Sequence, residues 1–472
     1  MSWVGRIGMR TRDEEQSFAI SEIKKELIES EGIALCIACT GYGKGELIRL
    51  ISNSIKTSLL VVVPRVNLVR DLAQRTGGSI YCASLKEKNI GKVTIATKQS
   101  LKGVKADVVI VDEAHNASDE FLNSIDANYI IGLTATPFGD GGFIYGEDKF
   151  WGEPCYNFPT KNGIEAGYLC DFKIYGSQIA FDLSAVKNAK RDFTATEINR
   201  IISQDKHILQ VKEFVEICNK AERKKVVVLC ANIEHAEKIQ SEILNYEECD
   251  IIHSKIKNSN DIVEDYKHND TRFCVSVMML SEGFDCPPID AVIFLRPTRS
   301  SRLMVQASGR GLRLYQDKEY CLMLDYGSVF INCGLPTSPI INTEKKSETQ
   351  TSEVICCESC FYIYDIKGPC PSCGHEKEPE KRDVDKNLLE SIDKPNPFVI
   401  IDRGNRFKPG RTSKGAQYVT IESEQGNFTL FGWQCKRFYS LLSKGEIKLT
   451  YQWPVGSKFS KVLGLESHRP SE

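Results

Sequence analysis

Apolar residues in the first third of the chain come in short unbroken runs rather than in strict alternation. Ile33 to Ala38, Leu59 to Val63, Val93 to Ala96, Val108 to Val111 and Ile130 to Leu133 are such runs, rich in β-branched residues. Helix-length segments such as Gly45 to Ile55 separate them. Continuous apolar strands alternating with helices predict parallel strands covered on both faces. The rhythm returns at Val226 to Cys230, Ile251 to His253, Phe273 to Val277, Val292 to Leu295 and Cys321 to Asp325. The pattern therefore predicts two tandem α/β lobes, residues 1–170 and 171–340. Between them Phe138 to Tyr168 is Gly-rich and aromatic and reads as loop and connector. Residues 335–352 are polar and read as a linker. After a charged segment, Glu376 to Lys394, the period changes to two at Tyr418 to Ile421 and Phe428 to Trp433. These runs lie around a Gln425-Gly426-Asn427 turn. That predicts a small β-rich C-terminal module, residues 396–472.

Length and composition sharpen this picture. The 472 residues suit about three domains of roughly 150 residues each. With 41% hydrophobic and 26% charged residues, a disordered or fibrous chain is excluded. Lys and Arg number 61 against 63 Asp and Glu, a net charge of −2, so the whole molecule is no polycation. Nucleic-acid binding must come from local patches. One such patch is residues 401–472, with 12 Lys/Arg against 6 Asp/Glu, which leaves the rest of the chain at −8. It also holds ten aromatics, among them Phe407, Trp433, Tyr439, Tyr451 and Trp453. Cations bind phosphates and rings stack on bases, so this module is a candidate DNA track; its plain reading is a small core with a solvated basic face. No run approaches the roughly 18 apolar residues that span a bilayer. The basic N-terminus has no apolar stretch behind it, so a cytoplasmic chain without a membrane partner is expected.

Most of the 18 cysteines are scattered singly, as at Cys36, Cys82, Cys170, Cys230 and Cys435, which suits reduced buried thiols. One cluster differs. Cys357-x2-Cys360 and Cys370-x2-Cys373 are two knuckles nine residues apart. Four thiolates so spaced predict a structural Zn2+ site in a zinc ribbon, residues 350–378. Cys356 leaves the first pairing ambiguous, and His375 is a weaker candidate ligand.

Two segments carry catalytic chemistry. The first strand runs into Ala38-Cys39-Thr40-Gly41-Tyr42-Gly43-Lys44-Gly45 and then a helix. Glycines let the backbone wrap a phosphate, the helix start adds its positive end, and Lys44 would reach the β/γ-phosphates. Two positions depart from the usual pattern: Ala38 replaces the first Gly, and Gly45 replaces the Ser/Thr that helps to hold Mg2+. About 70 residues on, an apolar strand ends in Asp112-Glu113-Ala114-His115. Delivering two acids to the end of a buried strand is costly unless they act. Asp112 can hold Mg2+ through its water shell, and Glu113 can orient and deprotonate an attacking water.

With Thr134-Ala135-Thr136-Pro137, the segments Gly43-Lys44 and Asp112 to His115 resemble motifs I, II and III of superfamily 2 DEAH-type helicases. Ser281-Glu282-Gly283-Phe284-Asp285 resembles motif V, and Gln306-Ala307-Ser308-Gly309-Arg310-Gly311-Leu312-Arg313 resembles motif VI. The resemblance covers roughly residues 10–335. Gly132 to Phe138, Ile164 to Leu169, Glu234-His235-Ala236, Leu295-Arg296-Pro297-Thr298 and the cysteine cluster further resemble RadD/YejH-type DNA repair helicases and related phage branch-migration helicases.

The resemblance implies two RecA-like lobes that close on ATP and Mg2+. Thr40, Gly41, Gly43, Lys44 and Gly45 would bind phosphate, with Arg310 and Arg313 reaching across from the second lobe. Gln16 would read adenine, although Arg12-Asp13-Glu14-Glu15-Gln16 departs from the usual Arg-Pro-Tyr-Gln. Gly283 and Asp285 would lie on the ribose side, and Gln306 and His115 would bridge the lobes. Pro64 and Arg65 resemble motif Ia, Thr97 and Gln99 motif Ib, and with Thr134 and Thr136 they form the expected DNA track. The implied activity is an ATP-dependent DNA helicase or translocase acting on forks or Holliday junctions, in a bacterial cell or a phage-infected host. Single-strand-binding or recombination proteins are partners that the resemblance leaves open. Two other readings stand beside it. One is a duplex translocase or RNA helicase that separates no DNA strands. The other is a nucleic-acid-binding scaffold with a weakened ATP site, which Gly45 favours.

Overall fold

The computed structural model describes residues 10–101, 104–139, 141–177, 192–202, 206–256, 259–277, 286–341, 354–366, 368–376, 398–401, 405–411, 417–423, 426–431, 433–443, 446–452 and 461–468. They fall into two compact units, residues 1–377 and 378–472. In the first unit, eight strands form one sheet. Their order is Tyr156–Phe158, Ile33–Ala38, Tyr129–Thr134, Val108–Asp112, Leu59–Val63, Val93–Thr97, Ser79–Cys82 and Glu87–Lys88. All neighbours are parallel except the last pair. The strand Tyr129–Thr134 lies between the strand that feeds the glycine loop and the strand that delivers the acids. Ile37 is in register with Thr134, and Asp112 with Leu133. Ala38, Asp112 and Thr134 thus end on one edge of the sheet, where ligands of parallel α/β sheets bind.

A second parallel sheet has the order Asp171–Gly176, Tyr320–Asp325, Ala291–Phe294, Val226–Cys230, Phe273–Val277 and Cys249–Ile252. This is the mixed α/β, two-lobe architecture that the strand rhythm predicts. One buried cluster runs through both lobes, joining Leu47, Ile48 and Leu133 to Met304, Leu312 and Met323. The backbone joins them too: Cys170 N–H donates to Leu312 C=O at 2.9 Å.

Several elements differ from the sequence reading. Phe138 to Tyr168 is not wholly connector: Tyr156–Phe158 is a sheet strand and Thr160–Glu165 a helix. Three residues around an exposed Asn157 carry no run that could reveal a strand. Asp171–Gly176 escapes because it is an edge strand with partly exposed positions. Part of the expected linker is a hairpin, Gly334–Leu335 against Ser338–Pro339; its residues 342–352 lie outside the described residues.

The cysteine segment adds a hairpin, Ile355–Cys356 against Ile363–Tyr364. It covers the second sheet at its Asp171–Gly176 edge. Gly176 N–H donates to Phe361 C=O at 2.8 Å, and the Tyr175 and Tyr362 rings lie 5.3 Å apart. Covering an edge strand in this way blocks pairing with another chain.

Among its described residues the C-terminal unit has two three-stranded antiparallel sheets and one helix, Trp433–Leu442. Val419, Ile421, Phe428, Leu430, Phe438, Ile447 and Leu449 form its core. Ser423 pairs with Gly426, and Gly426 and Asn427 belong to the returning strand rather than to a turn. That strand ends at Phe431, and Trp433 starts the helix instead of continuing the alternation. Trp453 lies outside the described residues. Among the described residues no helix is long and apolar enough to cross a membrane.

Candidate active site and candidate metal centre

The loop Cys39 to Gly43 leaves the first strand and turns into the helix Lys44–Ser54. Gly43 is the N-cap at φ 98°, ψ 42°, a left-handed conformation with no side-chain cap bond. A glycine adopts it without strain. The helix's first N–H groups are therefore open to an anion. Lys44 Nζ lies 3.1 Å from Glu113 Oε1, and both side chains are about 85% buried. The loop and the acid strand are thus tied across the nucleotide position.

Glu113 itself has φ 50°, ψ 53°. A non-glycine residue held there costs about 1–3 kcal/mol, and such strain clusters at working sites. Burial opposes the Glu113 charge, but Lys44, His115 and Arg310 outweigh it and hold the carboxyl below its ordinary range. It is ionised at neutral pH. Its Oε2 is buried without a hydrogen-bond partner, 3.5 Å from His115 Nδ1. An acceptor left open at that point suits a water molecule awaiting activation. Asp112 Oδ1 accepts from Glu113 N–H at 3.0 Å.

His115 carries the site into the second lobe. Its Nδ1 is 2.8 Å from Thr134 Oγ1 and 3.3 Å from Thr136 Oγ1. On the other side of the ring, Gln306 Nε2 lies 3.4 Å from His115 Nε2 and donates to Thr136 Oγ1 at 3.4 Å. Gln306 comes from the helix Ser301–Gly311 of the second lobe. Arg302 of the same helix donates to Asn116 Oδ1 at 3.2 Å. The same helix presses on the phosphate loop: a Cβ on Gly309 would lie 2.6 Å from Thr40 Cβ. Glycine is required there by close approach. Arg313 stands over the loop, its Cγ 3.6 Å from where a Gly41 Cβ would be.

Other expected site residues fall differently. Thr97, Thr134 and Thr136 do not form a strand-facing track, because all three are buried. Thr97 shares a 2.9 Å hydrogen bond with Ser100, and the other two serve His115. Motif spacing fixes chain position but not side-chain direction. Gln99 is exposed, and Pro64 and Arg65 are half-buried at the end of the strand Leu59–Val63. Gln16 is buried and gives its Nε2 to Tyr42 C=O at 3.3 Å, so its amide nitrogen serves the loop backbone. Gly283 and Asp285 lie outside the described residues. Gly45 has room for a side chain, since a Cβ there meets Leu72 Cδ2 at 3.8 Å. The metal-binding hydroxyl is therefore missing for no packing reason. Asp112 is the residue that would hold Mg2+, which when bound would neutralise phosphate charge.

The sequence reading missed one set of groups. Tyr42, in the loop, is fully buried, and its hydroxyl is 3.0 Å from that of Tyr156. Tyr156 donates to Glu15 Oε1 at 2.8 Å. A large aromatic between two loop glycines was the available signal.

At the ribbon, the four sulfurs of Cys357, Cys360, Cys370 and Cys373 lie within 4.8 Å of one another. Cys357 is 3.6 Å from Cys373, and Cys360 is 3.7 Å from Cys370. A tetrahedral Zn2+ with bonds of about 2.3 Å needs sulfurs about 3.8 Å apart. The donors fit. Burial raises the Cys357 thiol, but N–H groups of Cys360 and Ser359 outweigh it and bring it down to about 6. Burial pushes Cys360 up to about 12. Cys356 is turned away, its Sγ toward Phe361 C=O at 3.7 Å, which settles the pairing. His375 is outside the group that could hold an ion.

Comparison with known proteins agrees with this geometry. Residues 9–139 match the family described as type III restriction enzyme, res subunit, and residues 207–315 match the helicase conserved C-terminal domain. An IRC3 protein of Saccharomyces cerevisiae, provisionally named an ATP-dependent helicase, is 26% identical over 233 residues. The match covers 46% of this chain and 34% of that protein. A 51.5 kDa protein of a Lactococcus phage is 25% identical over 403 residues, 80% of each chain. The chain spans only 34% and 45% of the two yeast relatives it matches. Among solved structures, a fragment provisionally assigned to the HsdR subunit of a type I restriction enzyme from Vibrio vulnificus YJ016 superimposes with a TM-score of 0.55. It is 21% identical and covers 69% of this chain and 66% of that one. That likeness concerns the fold.

Proposed function

The chain belongs to superfamily 2 of the helicases, and from that premise we propose that it is an ATP-driven DNA translocase that remodels branched DNA such as forks and Holliday junctions. The observation that carries the motor reading is the line of close polar contacts from Lys44 through Glu113 and His115 to Gln306. The nucleotide groups of the first lobe touch a helix of the second. ATP phosphates would take Lys44 from Glu113, and the freed carboxylate would accept a proton from the attacking water. Arg310 and Arg313, always charged, would stabilise the transferring phosphoryl group. Because these arginines sit on the second lobe, hydrolysis depends on lobe closure, and closure moves the strand. The four cysteines would hold Zn2+ as a brace for the ribbon. The branched substrate rests on the resemblance to RadD/YejH-type and phage helicases.

The test is ATP hydrolysis without DNA and with single-stranded, duplex and forked DNA, beside Lys44→Ala and Glu113→Gln. Strong stimulation by forked DNA, lost in both variants, is expected. Turnover no higher than that of the variants on every polymer, RNA included, would overturn the motor reading in favour of a scaffold. Stimulation by RNA alone would overturn the DNA reading. Turnover on forks whose labelled strands stay paired would leave a duplex translocase.

A further inference from the structure

The C-terminal helix Trp433–Leu442 has two unlike faces. Cys435 and Phe438 are buried in the unit's core, with Leu441 and Leu442 half-buried beside them. Lys436, Arg437, Tyr439, Ser440 and, one residue past the helix, Ser443 are exposed. Tyr439 is 46% exposed, its ring set edge-on against Phe438 at 5.4 Å, so a large aromatic is held out in water by a buried one. The helix contains no acidic residue. The unit's described acids are on strands: Glu422, paired with Lys408, Glu446 and Glu466. An ordinary solvated face mixes both signs of charge. This one offers an ammonium, a guanidinium, hydroxyls and a ring.

These groups are donors for phosphate and a platform for a base, in a region of charge +6 within a chain of −2. Resting on the DNA-motor reading above, we infer that this helix face is a second nucleic-acid contact that binds single-stranded DNA. Lys436 and Arg437 hold phosphates, and Tyr439 stacks on an unpaired base. Duplex DNA offers the same phosphates but no open base face, so the ring makes the single strand the fitting partner. Contacts of this kind hold a strand without reading its sequence.

The test uses the full chain and measures anisotropy of a labelled oligo-dT strand and of a duplex of equal length over a salt series. Lys436→Gln with Arg437→Gln should weaken single-strand binding at least tenfold and lower the slope of log affinity against log salt by about 1.4. Tyr439→Ala should weaken it by about 5- to 100-fold with the slope unchanged, and Tyr439→Phe should restore it. ATP turnover without DNA should stay at the wild-type level in all of them, and hydrogen-exchange protection of the helix Trp433–Leu442 equal to wild type excludes misfolding of the C-terminal unit. Unchanged affinity and slope in the charge variant would overturn the inference, as would a loss seen only on duplex. If the wild-type chain bound neither probe, the DNA-motor reading itself would fail. Wild-type binding with silent variants would remove only this surface.

Discussion

The cleft between the lobes and the cysteine ribbon both gather reactive side chains, by opposite means. In the cleft, Lys44, Glu113, His115, Thr136 and Gln306 come from segments spread over more than 250 residues, and a core shared by both lobes holds them. In the ribbon, four thiols come from 17 residues folded by two tight turns, and the cluster around them is little more than Cys357, Cys370 and Tyr364. A short segment with so small a core lacks the buried surface to order itself. The difference separates chemistry from stability. Losing one group in the cleft should cost reaction and leave the fold, whereas losing the ion at the ribbon should cost the fold there and leave the reaction.

The largest expected effect is at the ribbon. Apparent Zn2+ binding energies in small cysteine sites are about 10–16 kcal/mol, much of it folding energy. Purified protein should contain one zinc per chain. A chelator, or Cys360→Ser, should abolish hydrogen-exchange protection across residues 355–375 and expose the Asp171–Gly176 edge to self-association. ATP turnover without DNA should persist. Absence of zinc, with the ribbon still protected, would break the comparison on this side.

Next comes Glu113→Gln. The amide keeps the shape of the side chain but cannot take a proton. Turnover should fall by about 10²- to 10⁴-fold. The melting temperature should fall only modestly, because the amide oxygen can still accept from Lys44 although that buried cation loses its counter-charge. A large drop in melting temperature would show that the cleft, too, is held by its polar groups.

What the sequence revealed follows the same division. Strands buried on both faces announce themselves as apolar runs, so the two sheets and the acids at their carboxyl edge were readable. Asp171–Gly176 was hidden because an edge strand need not be apolar throughout. The thiol spacing was readable because its geometry is local. By contrast, Thr97, Thr134 and Thr136 carried the right residue type for a DNA track but point inward. Tyr42, Tyr156 and Glu15 meet across as many as 141 positions, and no local pattern records such a contact.

Gln306→Ala sharpens the comparison at the lobe boundary. It removes the donor that faces His115 and Thr136 and leaves both lobes' sheets intact. Two neutral hydrogen bonds of about 1 kcal/mol each correspond to a 10- to 30-fold loss. The loss should appear in DNA-stimulated turnover, with ATP affinity little changed, because the residue connects lobes and does not touch phosphate. Equal losses in ATP affinity and stimulated rate would place Gln306 in nucleotide binding instead.

The smallest effect tests whether the core beneath the phosphate loop shapes the chemistry or only supports it. Tyr42 is held at both ends: its carbonyl accepts from Gln16, and its hydroxyl meets Tyr156, which is fixed in turn by Glu15. A carboxylate can only accept, so Glu15 accepts the hydrogen bond from the Tyr156 hydroxyl and the Tyr156 oxygen is left to accept from Tyr42. The chain of donors thus has one direction, and it pins the residue between the two loop glycines. Tyr42→Phe keeps the ring against Phe158, 5.3 Å away, and removes only the hydroxyl. At about 1 kcal/mol, the loop should lose roughly fivefold in ATP affinity while kcat stays near wild type. Tyr156→Phe should reproduce the effect, and the two together should cost little more than either, because they break one chain of bonds. Additive losses would mean that each hydroxyl supports the loop through its own partner and not through one shared chain of bonds.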